Sequence, residues 1–181
     1  MIKKCELIDE KDISPSKWFP LFMHKIKLPN GKVIDDYYVS KLGDVAMVVA
    51  ITQNKEIVFV RQYKHGVRDI ILELPAGRID NKTPEEAAKA ELEEETGFVV
   101  DELTPIGTVY VAPSKDSTTT HAFIINNISV QKEQKLDTTE DIEVVYVPIK
   151  ELDTRIKNGE IKAADTLATI SLAKINHPEF F

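Results

Sequence analysis

The chain has 181 residues, 43% hydrophobic and 29% charged, with 7 Gly and 9 Pro; that length suits one domain with at most a small appendage, and the composition excludes collagen-like, low-complexity and globally disordered classes. A net charge of −7 argues against a surface that wraps nucleic acid through its phosphates, and a bound metal fits it better. Lone Cys5 has no internal disulfide partner, the start MIKKCELIDEKD lacks the apolar stretch of a signal peptide, and runs such as Val45–Ile51 fall far short of the roughly 20 residues a membrane helix needs, so a cytoplasmic protein with no membrane partner is expected.

In chain order, Trp18 is followed by an alternating stretch His24–Leu28, a turn at Pro29-Asn30-Gly31 and a run Val33–Val39, which together read as a β-hairpin. Asp44–Thr52 and Ile57–Tyr63, rich in Val and Ile and split by Gln53-Asn54-Lys55-Glu56, read as strands buried on both faces. Ile70–Leu74 is a short strand stopped by Pro75, and 76–82 reads as loop. The strongest helix signal runs from Pro84 to Thr96: Thr83 as N-cap, Pro84 at the first position, Glu86 completing a capping box, Gly97 as the stop. Strands follow at Ile106–Val111, His121–Ile128 and Ile142–Val147, then a helical stretch Lys150–Lys157 ending at Gly159, and a last helix from Asp165 to about Ile175. No internal repeat or linker interrupts this order.

The Pro84–Thr96 helix holds Glu85, Glu86, Glu91, Glu93, Glu94 and Glu95. Glu91 and Glu95 are four apart and share a face, with Glu94 on the neighbouring edge; like charges so placed weaken an isolated helix. A divalent cation relieves them, and hard carboxylate oxygens suit Mg²⁺ or Mn²⁺, with water and substrate phosphates completing the coordination. Taken alone, such a run reads more often as a solvated acidic face. The four histidines show no zinc spacing, and no GxGxxG, Walker or GxSxG pattern supports a dinucleotide oxidoreductase, P-loop enzyme or serine hydrolase.

Leu74-Pro75-Ala76-Gly77, Pro84–Ala88 and Glu91–Phe98 together resemble the Nudix box, G-x5-E-x7-R-E-U-x-E-E-x-G-U with U apolar, whose C-terminal half matches from Glu91 to Phe98. Two positions depart from it. Ala90 stands where the family has an arginine that orients the glutamates, and thirteen residues separate Gly77 from Glu91 where the pattern has fourteen, leaving Lys82 and Thr83 in place of the loop glutamate. Val60–Lys64, Glu73–Gly77, Pro113 sixteen residues beyond Gly97, Thr139–Pro148 and Gly159–Thr166 resemble the ADP-ribose pyrophosphatase (ADP-sugar diphosphatase) branch. Pro113–Thr120 departs from that branch's Pro-Gly version of a polar loop near the site.

The resemblance implies an α/β (α+β) Nudix fold, a mixed β-sheet sandwiched between helices, preceded by an antiparallel N-terminal β region. It implies a β region at 1–43 that forms a homodimer, and a hydrolase domain at 44–181. It implies metal ligation by Glu91, Glu95, the Ala76 carbonyl and Glu140, with Mg²⁺ as cofactor and Mn²⁺ as an alternative. The implied reaction is attack of water on a pyrophosphate of ADP-ribose or a similar nucleoside diphosphate sugar. Glu140 is then the candidate general base and Glu94 an assisting carboxylate. Arg61, Lys64 and Arg68 are candidates for phosphate contact, and Trp18 or Tyr63 for stacking on a base. Plain surface roles remain open for Glu140 and the three cations, and a core role for the two aromatics. The two departures keep open a hydrolytically weak nucleotide-binding or sensor module, and hydrolysis of another nucleoside diphosphate derivative.

Overall fold

The computed structural model describes residues 1–181. Backbone proximity divides the chain into two units, Met1–Gly43 with Tyr110–Thr119, and Asp44–Val109 with Thr120–Phe181.

The first unit is a three-stranded antiparallel sheet of β1 (Glu6–Asp12), β2 (Leu21–Lys27) and β3 (Val33–Ser40), in that order. The hairpin expected from Pro29-Asn30-Gly31 is present: Gly31 takes φ +87°, which a side chain disfavours, and its N–H donates to the Leu28 carbonyl at 2.9 Å. Strand β1 had no sequence signal, because its seven residues are all exposed and its charges obscure any alternation. The loop Tyr110–Thr119 docks on β3 in the same unit: the Tyr37 hydroxyl donates to the Ser114 carbonyl at 2.5 Å, and the Ser40 N–H to the Lys115 carbonyl at 2.8 Å. Trp18, for which a core role stood open, is 72% exposed with the Lys17 ammonium 4.6 Å from its ring centroid.

The second unit contains β4 (Val45–Thr52), β5 (Glu56–Lys64), β6 (Asp69–Glu73), β7 (Ala76–Arg78), α1 (Pro84–Thr96), β8 (Thr104–Tyr110), β9 (Thr119–Ile128), β10 (Ile142–Pro148), α2 (Leu152–Lys157) and α3 (Ala164–Asn176), apart from the end residues Tyr110 and Thr119. The main sheet runs β10-β5-β4-β9-β8, with β4 and β9 parallel and β5 antiparallel to both β4 and β10. It is therefore mixed.

Alternation along β4 and β5 makes two cores, because successive side chains leave opposite faces. Met47, Val49, Ile51, Ile57 and Phe59 pack with Leu152 of α2 and Ile170 and Ala173 of α3. Ala46, Val48, Ala50 and Val58 pack with Ala87, Ala88 and Leu92 of α1. Each large aliphatic side chain so buried contributes roughly 1.5–3 kcal/mol. The alanines on the α1 face let that helix lie close to the sheet, which decides where its carboxylates end up.

Strands β4 and β5 pair at Ile51↔Ile57 and then diverge. The gap is filled by the segment that sequence reading took as strand followed by loop: β6 adds to β5 (Val60↔Glu73 to Lys64↔Asp69), and β7 adds to β4 (Met47↔Ala76 to Val45↔Arg78). Residues 76–78 are thus a short strand, invisible beforehand because three residues carry no period.

Helix α1 starts as expected, with Thr83 and Glu86 forming the full capping box. It ends at Gly97, whose φ is +78° and whose Cα faces the Lys132 carbonyl so closely that a methyl group would overlap it. Gly97→Ala combines left-handed strain with a backbone clash, and is expected to lower stability by about 2 kcal/mol or more. A thermal melt checks it; an unchanged midpoint would contradict this role for the C-cap.

Candidate active site

The wedge Leu74-Pro75-Ala76 between the diverging strands is held at three of its backbone polar groups. The Leu74 N–H donates to the buried Thr166 Oγ1 of α3 at 3.2 Å, the Pro75 carbonyl accepts from the Val48 N–H at 3.1 Å, and the Ala76 N–H donates to Glu95 Oε2 at 3.0 Å. Pro75 itself contributes no N–H. Helix α1 therefore delivers Glu95 onto the wedge from one face while α3 braces it from the other.

Glu95 is 4% exposed. Burial pushes its carboxyl up to about 8, opposed by the Ala76 N–H and reinforced by the nearby Glu91 charge. Glu91, one turn earlier, is raised to about 7 by burial and by the charges of Glu94 and Glu140, with Lys82 pulling the other way. The Glu91 carboxylate lies over Gly77, where a Cβ would coincide with it. Gly77 is thus required by space, since its φ is not in the left-handed region. For Gly77→Ala, activity is expected to fall at least about tenfold as Glu91 is pushed aside, with little loss of stability because a flexible side-chain end gives way; full activity in a steady-state assay would contradict the placement.

Three glutamates, Glu93 to Glu95, crowd the C-terminal end of α1, and no basic residue stands in its last turn. Negative charge there opposes the helix dipole. Relief comes from the chain after β9. Lys132 Nζ and Lys135 Nζ reach Glu93 at 3.4 and 2.8 Å. The helix's last carbonyls are also met: Glu94 O by the Lys135 N–H (2.9 Å), Glu95 O by Gln134 Nε2 (2.6 Å), Thr96 O by Gln131 Nε2 (2.9 Å) and Gly97 O by the Lys132 N–H (2.8 Å). Residues 131–135 thus strap the helix end, and the loop bearing Glu140 starts from that strap.

Glu140 is exposed and turned back on its own loop, with Oε2 accepting from the Asp137 N–H at 3.0 Å. No group of three or more His, Cys, Asp or Glu side chains is gathered as a metal cage in this conformation. Glu94 is exposed on the edge of the helix. Lys64 Nζ is paired with Glu73 at 2.6 Å, Gln62 Nε2 donates to the same Glu73 oxygen at 2.8 Å, and the charges of both Lys64 and Glu73 act on Glu95. Arg61 leaves β5 on the opposite face by alternation; its guanidinium meets Glu143, the residue directly across on β10, at 2.9 Å and Glu160 at 3.9 Å. The structure thus brings Lys64 near enough for its charge to act on Glu95 and ties Arg61 elsewhere. Arg68 is exposed in the β5–β6 turn, and Tyr63 is 55% exposed.

Sequence reading missed Gln131, Gln134 and the lysines of the strap, because an irregular segment gives no periodic signal for a helix some forty residues earlier. Glu73 and Gln62 lay inside quoted motifs, yet only the register of β5 with β6 shows them meeting.

A NUDIX domain model matches residues 41–169. The chain belongs to the Nudix family of pyrophosphohydrolases. A model for a nucleoside diphosphate sugar hydrolase N-terminal domain matches residues 6–40 ahead of the Nudix domain. Among curated relatives, ADP-ribose pyrophosphatase of Bacillus subtilis (strain 168) is 32% identical over 93% of this chain and 91% of its own. GDP-mannose pyrophosphatase of Enterobacter sp. (strain 638) is 28% identical over 97% of this chain and 98% of its own. The crystal structure of an ADP compounds hydrolase superposes with a TM-score of 0.84 at 20% identity, covering 99% of this chain and 97% of that one. That likeness establishes the Nudix fold expected from the box.

Proposed function

We propose that the protein is a divalent-metal-dependent hydrolase, using Mg²⁺ or Mn²⁺, that splits ADP-ribose or a related nucleoside diphosphate sugar into AMP, or the corresponding nucleoside monophosphate, and a sugar phosphate. The observation that carries this is the convergence of Glu91 and Glu95 on the segment Ala76-Gly77, with both carboxyls held well above their ordinary range by burial and by neighbouring carboxylates. Buried carboxylates without a cationic partner are costly, and hard oxygen donors of this kind fit Mg²⁺ or Mn²⁺. The names of the two relatives above support the substrate class, and ADP-ribose leads on the 32% identical one.

In this reading Glu91, Glu95, the Ala76 carbonyl and Glu140 hold the metal. When bound, the metal lowers the pKa of a coordinated water and neutralises charge on phosphate oxygens. Glu140 would take the proton from the attacking water as the water oxygen bonds to phosphorus, with Glu94 assisting. The bridging P–O bond breaks, and its electron pair leaves with the departing phosphate. Glu140 first has to release the Asp137 N–H, a movement within a short exposed loop. Lys64 exchanges Glu73 for a substrate phosphate as a point charge. Arg68, exposed in the β5–β6 turn, is assigned to a substrate phosphate, whereas Arg61, tied to Glu143 and Glu160, serves the sheet edge. Residues 1–43 form the N-terminal β region through which two copies pair as a homodimer, and the enzyme works in the cytoplasm. No helix is long and apolar enough to cross a membrane.

Incubation with Mg²⁺ and a panel of ADP-ribose, GDP-mannose and a dinucleoside polyphosphate tests the reading. AMP and ribose 5-phosphate from the first compound are expected in the greatest yield. Turnover of none of the three would contradict it.

A further inference from the structure

The side-chain amide of Gln134 joins the metal-site helix to both ends of the loop that carries Glu140. Its Nε2 donates to the Glu95 carbonyl of α1 at 2.6 Å and to the Ile142 carbonyl, where β10 begins, at 3.2 Å. The next residue along, Lys135, donates its own N–H to the Glu94 carbonyl at 2.9 Å. Residues 136–141 therefore leave from α1 and return to a point that the same amide ties to α1. Inside this closed loop Glu140 and Asp137 bond to each other through the Glu140 N–H to the Asp137 carbonyl (3.0 Å) and the Asp137 N–H to Glu140 Oε2 (3.0 Å). The loop is thus fixed at its base and closed on itself at its tip.

We infer that Gln134 is a positioning residue for the hydrolytic step: its two hydrogen bonds set the base of the 136–141 loop against Glu95, so that the loop's swing carries the Glu140 carboxylate towards Glu91 along one path. This rests on the proposed role of Glu140. An amide is suited to the task because it presents two donors from one nitrogen, matching two carbonyls that point at the same place. A carboxylate at 134 would instead face both carbonyls with acceptors. Gln131 provides the natural contrast, since it meets another carbonyl of the same helix end, that of Thr96 at 2.9 Å, but does not touch the loop's far end.

The test compares kcat, KM and melting temperature for Gln134→Ala, Gln134→Glu, Gln131→Ala, Glu140→Gln and the double variant Gln134→Ala/Glu140→Gln, in the full chain with ADP-ribose and Mg²⁺. For Gln134→Ala, kcat is expected to fall about tenfold or more with KM changed less than about twofold, the scale on which misplaced groups lower rates. Gln131→Ala is expected to lose similar thermal stability but to keep kcat within about twofold. Gln134→Glu is expected to behave like the alanine variant. In the Glu140→Gln background Gln134→Ala should add little, because the two act as one unit. Additive losses, or equal kcat losses in Gln131→Ala and Gln134→Ala, would overturn the positioning role and leave a plain helix cap. Should Glu140→Gln alone leave kcat unchanged, the assignment of Glu140 itself would fail, and any loss in Gln134→Ala would then have to be read through Glu95.

Discussion

Glu95→Gln is expected to lower kcat/KM at least about a hundredfold, since loss of a metal ligand exceeds the 10–100-fold typical of the partners behind one, while the metal-free protein becomes more stable. The amide oxygen still accepts from the Ala76 N–H, so the wedge keeps its bond, and the chain no longer has to hold a proton on Glu95 or bury its charge. The stability gain has a definite pH dependence. In the folded chain the Glu95 carboxyl keeps its proton up to about 8, against 4.5 for its ordinary value. Between those values the folded state binds more protons than the unfolded one, so wild-type stability is fully present below pH 4.5 and declines as pH rises through 8. Glu91, raised to about 7, adds a decline over a narrower range. With a chelator present, the variant should match the wild type near pH 4.5 and exceed it at pH 8 by on the order of a few kcal/mol. Thermal melts at both pH values check this, and parallel curves would contradict the burial of an unpaired carboxyl.

The second large effect concerns Glu140→Gln. Loss of a general base typically lowers rate by about 10²–10⁴-fold. The loss should fall mainly on kcat, because Lys64 and the α1 carboxylates, proposed above to meet the substrate and metal, are untouched. Steady-state kinetics with ADP-ribose and Mg²⁺ measure it. Since Glu140 is turned onto Asp137, it depends on loop movement, and thickening the solvent should slow the wild type more than the variant if that movement limits turnover. A variant with unchanged kcat would remove Glu140 from the reaction.

Much of the site was legible in the chain because it is local. Thr83, Pro84, Glu86 and Gly97 mark both ends of α1 by capping chemistry alone, and the like charges of Glu91 and Glu95 four apart on one face, with Glu94 beside them, are an anomaly that bare physics flags. The alternating apolar residues of β4 and β5 announced two buried faces, and Met47 and Val48 do fall in different cores. The rest depends on partners distant in sequence. Which of Arg61 and Lys64 lies on the side of β5 from which its charge acts on Glu95 follows from strand register, which residue type alone does not give. The strap at 131–135 works through side-chain amides and backbone groups that have no pattern of their own. Strand β1 was hidden by its charges, and β7 by its length. The two departures from the box also gained a physical setting: Ala90 supplies no charge, and Lys82, standing where a loop glutamate was expected, places a positive charge near Glu91 instead.

Proton release on metal binding tests the central claim most directly. Carboxyls raised to about 7 and about 8 still hold protons at neutral pH, and a divalent cation must displace them. Calorimetric titration with Mg²⁺ or Mn²⁺ at pH 7, in two buffers of different ionisation enthalpy, counts the protons set free. The account predicts roughly one or more per ion bound, decreasing above pH 8 and reduced in Glu95→Gln. Binding with no proton release, or release equal in wild type and variant, would contradict the placement of the metal on α1.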